Sequence, residues 1–342
     1  MEAIILAGGF GTRLRPLTYT RAKALLPILN KPMVYYLITM LPKEVDKVIL
    51  AVNYRKDQIE EYLKNNDFGK EIIVNDEPEP LGTGGAVKFA EKHITGPFFV
   101  LNADIICSLN LDDMIDFHEK KNAASTISLW PVKNVSEFGV VDMKDDGNVI
   151  GFVEKPKPED APSNLINAGA YFLEPEVLDY IETGRLVSME KEIFPQIIND
   201  TRKFFGFEFK GYWTDVGRIQ SYIDVHKFLL KNQQLEYSKG NTCEINGKLS
   251  ESCIGNNVFI GENSNLESTI VFDNVKIGKR AVLNNCVIGE NCKINDCSRL
   301  TNTVVGDNEI IVENIVLDNK MVWNQPVPHG YPKKQIGNVI GE

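Results

Sequence analysis

The chain has 342 residues, beyond the usual span of one domain, so two domains are expected. Its composition, 43% hydrophobic and 25% charged, suits a globular protein with a sizeable core. With 37 Lys+Arg against 47 Asp+Glu the formal net charge is -10, which argues against non-specific binding to nucleic acid or an anionic membrane, so an anionic small molecule would need a locally basic site. No apolar run approaches the roughly 20 residues of a membrane span, and Met1-Glu2-Ala3 enters an apolar strand-like run without a basic leader or a cleavage site. A cytoplasmic protein is therefore expected. Six cysteines, at 107, 243, 253, 286, 292 and 297, form no C-x-x-C pair and read as small buried side chains before disulfides or metal ligands.

In chain order, the short apolar runs at residues 3–6, 48–52, 72–74 and 98–101 are of the kind buried on both faces of a parallel sheet. Segments of helical length lie between or beside them, at residues 32–41, 56–65 and 83–93. Strand and helix in alternation predict an α/β domain with a mixed, mostly parallel sheet of the Rossmann-like kind. From Ser125 the texture changes to strands with little helix between them, at residues 126–129, 139–143, 149–153 and 168–173, with Asp145-Asp146-Gly147-Asn148 as a hairpin turn. This predicts a second part of the domain lying over the first. Residues 226–239, helical and increasingly polar, read as the connector.

The last third repeats. Apolar residues recur every six residues, with three steps of five, at Ile254, Ile260, Leu266, Phe272, Ile277, Leu283, Ile288, Ile294, Leu300, Val305, Ile311 and Leu317. Neither a helix of period 3.6 nor a strand of period 2 fits, so each hexapeptide is one side of a coil, and twelve sides at three per turn predict about four coils of a hexapeptide-repeat β-helix. Asn and Gly at the other positions suit corners that need positive φ. The expected division is 1–232 for the α/β domain, 233–242 for a linker, 243–320 for the β-helix and 321–342 for a tail.

The run Leu6-Ala7-Gly8-Gly9-Phe10-Gly11-Thr12-Arg13-Leu14-Arg15-Pro16 follows the first strand directly. Glycines there let backbone N–H groups approach a phosphate or base, and Arg13 with Arg15 adds positive charge to an acidic protein. No Gly-Lys-Ser/Thr follows, and the spacing is not that of a dinucleotide fingerprint. Lys23 comes ten residues after Arg13, bracketed by apolar residues.

This stretch, with Lys23-Ala24-Leu25-Leu26-Pro27 and Asn30-Lys31-Pro32, resembles the signature of the sugar-1-phosphate nucleotidylyltransferases. Further motifs match in order: Glu77-Pro78-Glu79-Pro80-Leu81-Gly82-Thr83-Gly84, Leu101-Asn102-Ala103-Asp104, Phe152-Val153-Glu154-Lys155-Pro156, Ile166-Asn167-Ala168-Gly169 and Trp213-Thr214-Asp215-Val216-Gly217. Ser188-Met189-Glu190-Lys191-Glu192-Ile193-Phe194-Pro195 resembles the mannose-1-phosphate guanylyltransferase branch, which also carries a C-terminal left-handed β-helix. Two departures stand out, Ala22 and Ala24 beside Lys23 where the family has proline, and Gly84-Gly85-Ala86 where the guanylyltransferase pattern tends toward Ala-Gly-Pro.

The resemblance implies an enzyme that joins a sugar 1-phosphate to the α-phosphorus of a nucleoside triphosphate and expels pyrophosphate. Repulsion between anions is the obstacle, and fixed cations with Mg²⁺ are the expected answer. Asp104, beyond a buried strand, and Asp215 are the expected metal ligands. Arg13, Lys23, Asp104 and Lys155 are the expected catalytic residues, with Arg13 on the leaving pyrophosphate and Lys23 on the triphosphate. Leu6, Gly8, Gly9, Gly11, Thr12, Arg13, Glu77, Gly82 and Thr83 would hold the nucleotide. Lys155 would bind the sugar phosphate, with Gly139, Glu154 and Asn167 on its hydroxyls. Transfer of guanylyl to mannose 1-phosphate is the leading expectation. The alternatives are uridylyl or thymidylyl transfer to glucose 1-phosphate, and a non-catalytic regulatory subunit. The β-helix is expected to assemble a homo-oligomer, dimer or tetramer, rather than to catalyse acyl transfer, because no histidine lies between His226 and His329 to serve as its base.

Overall fold

The computed structural model describes residues 1–200 and 203–327, together with the backbone strand Val339–Ile340. They form two compact units, Met1–Gly9 with Val34–Asp215, and Phe10–Met33 with Val216–Glu342.

The first unit is built on one nine-stranded sheet. Its elements are β1 (Glu2–Leu6), α1 (Met33–Met40), β2 (Lys47–Val52), α2 (Lys56–Lys64), β3 (Glu71–Asp76), α3 (Gly82–Phe89), β4 (Phe98–Asn102), β5 (Ile105–Cys107), α4 (Leu111–Lys121), β6 (Ser125–Pro131), β7 (Gly139–Met143), β8 (Val149–Glu154), β9 (Leu165–Leu173), α5 (Phe194–Asp200), β10 (Phe204–Glu208) and β11 (Trp213–Asp215). The sheet runs β8-β7-β9-β4-β1-β2-β3, with β6 on β9 and β10 on β6. The four apolar runs are the parallel strands β4, β1, β2 and β3, paired from Leu6↔Ala51 and Leu6↔Asn102 outward. Ala3, Ile4, Ile49, Leu50, Phe99 and Val100 are fully buried, as strands covered on both faces must be.

The later strands do not lie over the first sheet but extend it. β9 pairs antiparallel with β4 through Ala170↔Leu101, so the change from parallel to antiparallel strands marks a change of neighbour within one sheet. Their alternation fits strands beyond the helix-covered region, and Ile150 and Val153 of β8 are exposed.

The second unit joins α6 (Ile219–Asn232) and the segment Phe10–Met33 to a coil of short strands in three parallel sheets, a β-helix. The coil repeat is 17 residues: Ile254↔Val271, Ile260↔Ile277 and Leu266↔Leu283 are paired, and so are Val271↔Ile288 and Ile288↔Val305. The inward residue after Leu266 is therefore Val271, which joins the core, and not Phe272 as the period of six suggested. The coil also starts earlier and counts five turns among the described residues. Tyr237–Lys239, inside the stretch expected as a linker, pairs with Ser252–Ile254, and Met321–Val322 continues the stack past residue 320. The sequence hid this first turn because its outer strand is polar and exposed.

Asparagine holds the corners. Asn257, Asn274, Asn291 and Asn308 have φ of 54°, 60°, 58° and 64°, and Asn257 donates to Asn274 and Asn291 to Asn308, 17 residues on. The glycines play a different part from the one expected. A Cβ on Gly255 would fall 2.4 Å from Asp273 Oδ1, and one on Gly289 2.5 Å from Asp307 Oδ1, so they are needed for the close approach of successive coils. All six cysteines are free, and burial pushes the thiols of Cys253 and Cys286 up to about 11 and that of Cys292 to about 12.

Candidate active site

β1, β2 and β4 end together. The Ala103 N–H donates to Leu6 O at 3.2 Å and the Ala7 N–H to Ala51 O at 2.8 Å, so the carboxyl ends of these strands open on one edge, where ligands of such sheets bind. Gly8 follows at that edge. The point where its side chain would begin lies 3.6 Å from Asn53 and 3.7 Å from Glu77 Oε1. Glu77 is 6% exposed, and its Oε2 accepts from the Leu81 N–H at 3.2 Å. Burial pushes its carboxyl above the ordinary range, partly offset by that hydrogen bond.

The turn between Glu77 and α3 is closed by glycines. Gly82 has φ of 73°, and a Cβ on it would meet Val187 O at 2.5 Å, while one on Gly85 would meet Arg185 O at 2.7 Å. The Gly84 and Gly85 N–H groups both donate to Val187 O, and the Val187 N–H returns a bond to Leu81 O. Gly85, the glycine that the Ala-Gly-Pro pattern shares, is thus required by this packing, and at Gly84, where the pattern departs, a Cβ would meet Val187 Cγ1 at 2.9 Å. Thr83 Oγ1 donates to Glu190 Oε2 at 2.7 Å and accepts from the Met189 N–H at 2.9 Å. Ser188 Oγ donates to the same oxygen at 2.7 Å. Tyr171 reaches the other Glu190 oxygen at 3.5 Å and accepts from Asn167 Nδ2 at 2.8 Å, while Asn167 Oδ1 accepts from the Gly169 N–H. Thr83 of the expected nucleotide set and Asn167 of the expected sugar set are thus linked through Glu190 and Tyr171. Neither linking residue was singled out from the sequence. Glu190 lay inside a recognised motif, but only the fold gives it partners.

A two-stranded ribbon carries one expected metal ligand, Asp215, and begins one residue after the other, Asp104. β11 pairs antiparallel with β5, with Asp215 opposite Ile105, so Asp215 stands across from the residue that follows Asp104. Both are half-buried. Trp213 anchors the ribbon by donating from Nε1 to Ala168 O at 2.8 Å and meeting Phe138 edge to face at 5.5 Å. No group of three or more acidic, His or Cys side chains that could hold a metal occurs among the described residues. Two carboxylates suffice for Mg²⁺, which takes one or two and completes its octahedron with phosphate oxygens and water, so the pair fits such an ion.

Gly139 and Glu154 are register partners in β7 and β8. A Cβ on Gly139 would come within 2.3 Å of the Phe152 ring and 2.9 Å of Glu154 Oε2. Lys155 follows with φ of 50°, its N–H donating to Phe138 O and its Nζ to Glu154 Oε1 at 2.7 Å. The Lys155 side chain is 60% exposed, so an arriving phosphate can compete for it. A non-glycine residue held at positive φ is costly, and such residues cluster at functional sites.

Arg13, Lys23, Gly11 and Thr12 belong to the second unit. Gly11 has φ of 60°, and a Cβ there would collide with Thr18 Cγ2 at 2.8 Å and press on the Lys23 stem at 3.3 Å. The carbonyl of Gly11 accepts from Thr18 Oγ1 and from the Leu14 N–H, both at 2.9 Å. Thr12 and Arg13 are exposed, while Arg15 is 3% exposed, its guanidinium 5.2 Å from the Tyr19 ring centre. Arg15 is thus a packing residue, not the second open cation expected of it. Lys23 sits in a single turn between buried Ala22 and Ala24, closed by Leu25 N–H to Ala22 O at 2.9 Å and Leu26 N–H to Lys23 O at 3.0 Å. The rigidity that proline supplies elsewhere comes here from that turn.

Residues 2–232 match the nucleotidyl transferase family model, and residues 239–336 match the GMPPB C-terminal domain. The chain belongs to the nucleotidyl transferase family. Over 231 residues it is 41% identical to the mannose-1-phosphate guanyltransferase of Saccharomyces cerevisiae, covering 65% of this chain and 63% of that protein. It is 44% identical over 234 residues to the probable mannose-1-phosphate guanylyltransferase 2 of Arabidopsis thaliana, with the same two coverages of 65% and 63%. The match therefore spans less than two thirds of the length of these relatives. Among solved structures, HddC from Yersinia pseudotuberculosis complexed with GMP-PN is 30% identical at a TM-score of 0.55, covering 66% of this chain and 97% of that one. Enzymes of this family generally use a divalent metal ion, and no helix among the described residues is long and apolar enough to cross a membrane.

Proposed function

We propose that the protein transfers a guanylyl group from GTP to mannose 1-phosphate, releasing pyrophosphate and forming GDP-mannose. The observation that supports the reaction class is the register of β11 on β5, in which Asp215 pairs with Ile105, the residue after Asp104. An oxygen of the sugar phosphate attacks the α-phosphorus; that P–O bond forms as the bond to the β-phosphate bridging oxygen breaks, and the electron pair leaves with pyrophosphate. No covalent intermediate is required, so positioning and charge neutralisation carry the catalysis. Arg13 and Lys23 neutralise the triphosphate. Lys155 exchanges its bond to Glu154 for the sugar phosphate, and the Glu154 carboxylate released then accepts from a sugar hydroxyl. Mg²⁺, held by Asp104 and Asp215, would draw charge from the α-phosphate.

The base is argued from Glu77. A carboxylate only accepts, and guanine offers it two donors, N1–H and the 2-amino group, whereas uracil and thymine offer one N–H between two carbonyls that a carboxylate repels. A buried acid beside Gly8 therefore supports GTP, and the relatives named above agree. Six free cysteines suit a reducing compartment such as the cytoplasm. Ile310, Val312 and Val316 are 63%, 58% and 70% exposed on the last coil, which supports a homo-oligomer joined through the β-helix. Pyrophosphate release from a panel of nucleoside triphosphates and sugar 1-phosphates tests the reading. GTP with mannose 1-phosphate should be best; silence with every pair would favour a regulatory subunit, and preference for UTP or dTTP with glucose 1-phosphate would overturn the assignment of the base. Ile310→Asp with Val316→Asp should lower the mass found by light scattering.

A further inference from the structure

In the sheet of the β-helix that contains Ile254, Val271, Ile288, Val305 and Val322, the next residue of each coil is Gly255, Phe272, Gly289, Gly306 and Trp323, and the one after is Asn256, Asp273, Glu290, Asp307 and Asn324. A regular repeat would not alternate glycine with Phe and Trp in one column. The second column also stacks three acids. Both irregularities follow the path of the signature segment, residues 16–30, across this face.

Tyr19 packs on Trp323 with ring centres 5.1 Å apart. A Cβ on Gly306 would come within 3.2 Å of Pro16. Thr20 Oγ1 donates to Asp307 Oδ2 at 2.6 Å, and Arg21 Nη2 donates to Glu290 Oε2 at 2.5 Å with Asp307 Oδ2 at 3.8 Å. The Arg21 guanidinium stands over the Phe272 ring at 4.8 Å, and Asp307 Oδ1 accepts from the Glu290 N–H at 2.7 Å, which holds the two acids together. At the far end Asn30 Nδ2 donates to Ile254 O at 2.8 Å. Charge-assisted bonds and a cation over a ring fix a guanidinium more narrowly than any single contact.

We propose that this face of the β-helix is a built seat for the signature segment, and that Glu290 and Asp307 are positioning residues which, by clamping Arg21, set the place of Lys23 two residues on. The inference rests on the reading that Lys23 acts on the triphosphate. It gives the β-helix a part in catalysis without a catalytic residue of its own.

Arg21→Gln, Glu290→Ala and their double variant, made in the full chain, test it, with Lys23→Ala as control. Each single variant should lower kcat/KM for the triphosphate at least tenfold, leave KM for the sugar phosphate within twofold, and combine so that the double variant is no worse than the poorer single one, as one clamp requires. Glu290→Gln, which keeps an acceptor, should recover part of the loss. If Lys23→Ala is inactive but Glu290→Ala is normal, the seat has no positioning role. A loss that raises both KM values in step with a lowered melting temperature would assign the contact to stability and overturn the proposal. Normal turnover by Lys23→Ala would instead overturn the reading of the loop.

Discussion

Thr83→Val removes one oxygen and conserves volume, so no cavity confuses the result. The hydroxyl makes two bonds, one given to Glu190 Oε2 at 2.7 Å and one taken from the Met189 N–H at 2.9 Å. A bond to an ionised group is worth about 1.5–3 kcal/mol, and an unpaired backbone N–H costs roughly 1–3 kcal/mol when buried. Both bonds are only part-buried, which favours the lower ends and gives about 2–4 kcal/mol in all. The unit should still fold, since the backbone bonds between Leu81, Gly84, Gly85 and Val187 remain. The melting temperature should fall by roughly 2–4 °C per kcal/mol. Because the 81–85 turn loses its tie to Glu190, KM for the nucleoside triphosphate should rise by about tenfold, the equivalent of 1.4 kcal/mol. Steady-state kinetics and a thermal melt on one preparation read both effects. Unchanged stability together with unchanged KM would mean that the Thr83–Glu190 bond holds nothing, and would refute the reasoning.

Asp104→Ala should cut turnover by at least about a hundredfold with the fold intact, and near-normal turnover at saturating Mg²⁺ would place the ion elsewhere. Lys155→Ala should act chiefly on KM for the sugar phosphate, and an effect confined to the triphosphate would contradict its role. Gly139→Ala should also raise that KM and cost about 1–3 kcal/mol of stability, because the new methyl drives Phe152 against Phe194; a variant with wild-type kinetics and melting temperature would argue that the ring yields freely. Burial holds His118 at about 4 and His226 at about 3, below the ordinary 6.5. Between those values the unfolded chain binds protons that the folded chain refuses, so stability is full above about pH 6.5 and falls with pH, by about 2 kcal/mol per histidine at pH 5. Urea midpoints that do not move between pH 7.5 and pH 5 would contradict this.

The parallel strands were legible because a strand buried on both faces leaves an unbroken apolar run, as at residues 48–52 and 98–101. The antiparallel strands were legible singly but not as part of the same sheet, since the pairing of Ala170 with Leu101 leaves no local trace. In the coil, the period located the inward residues except at Val271, where two adjacent apolar residues compete and the outer one, Phe272, serves Arg21. The expected site residues were named from motifs, and the glycines among them at Gly11 and Gly82 answer to local backbone geometry, each with a positive φ and no room for a Cβ. Glu190 and Tyr171 could not be given roles, since their partners lie on separate stretches of chain. The same holds for Arg21, whose acids are 269 and 286 residues away.

The central claim is that GTP and mannose 1-phosphate are joined here, and ³¹P NMR of a reaction containing both with Mg²⁺ tests it most directly. The account predicts a pair of coupled diphosphate resonances from a nucleotide-sugar, growing in step with pyrophosphate in equal amounts, and lost in Asp104→Ala. Release of GMP or inorganic phosphate with the mannose 1-phosphate signal unchanged would contradict it.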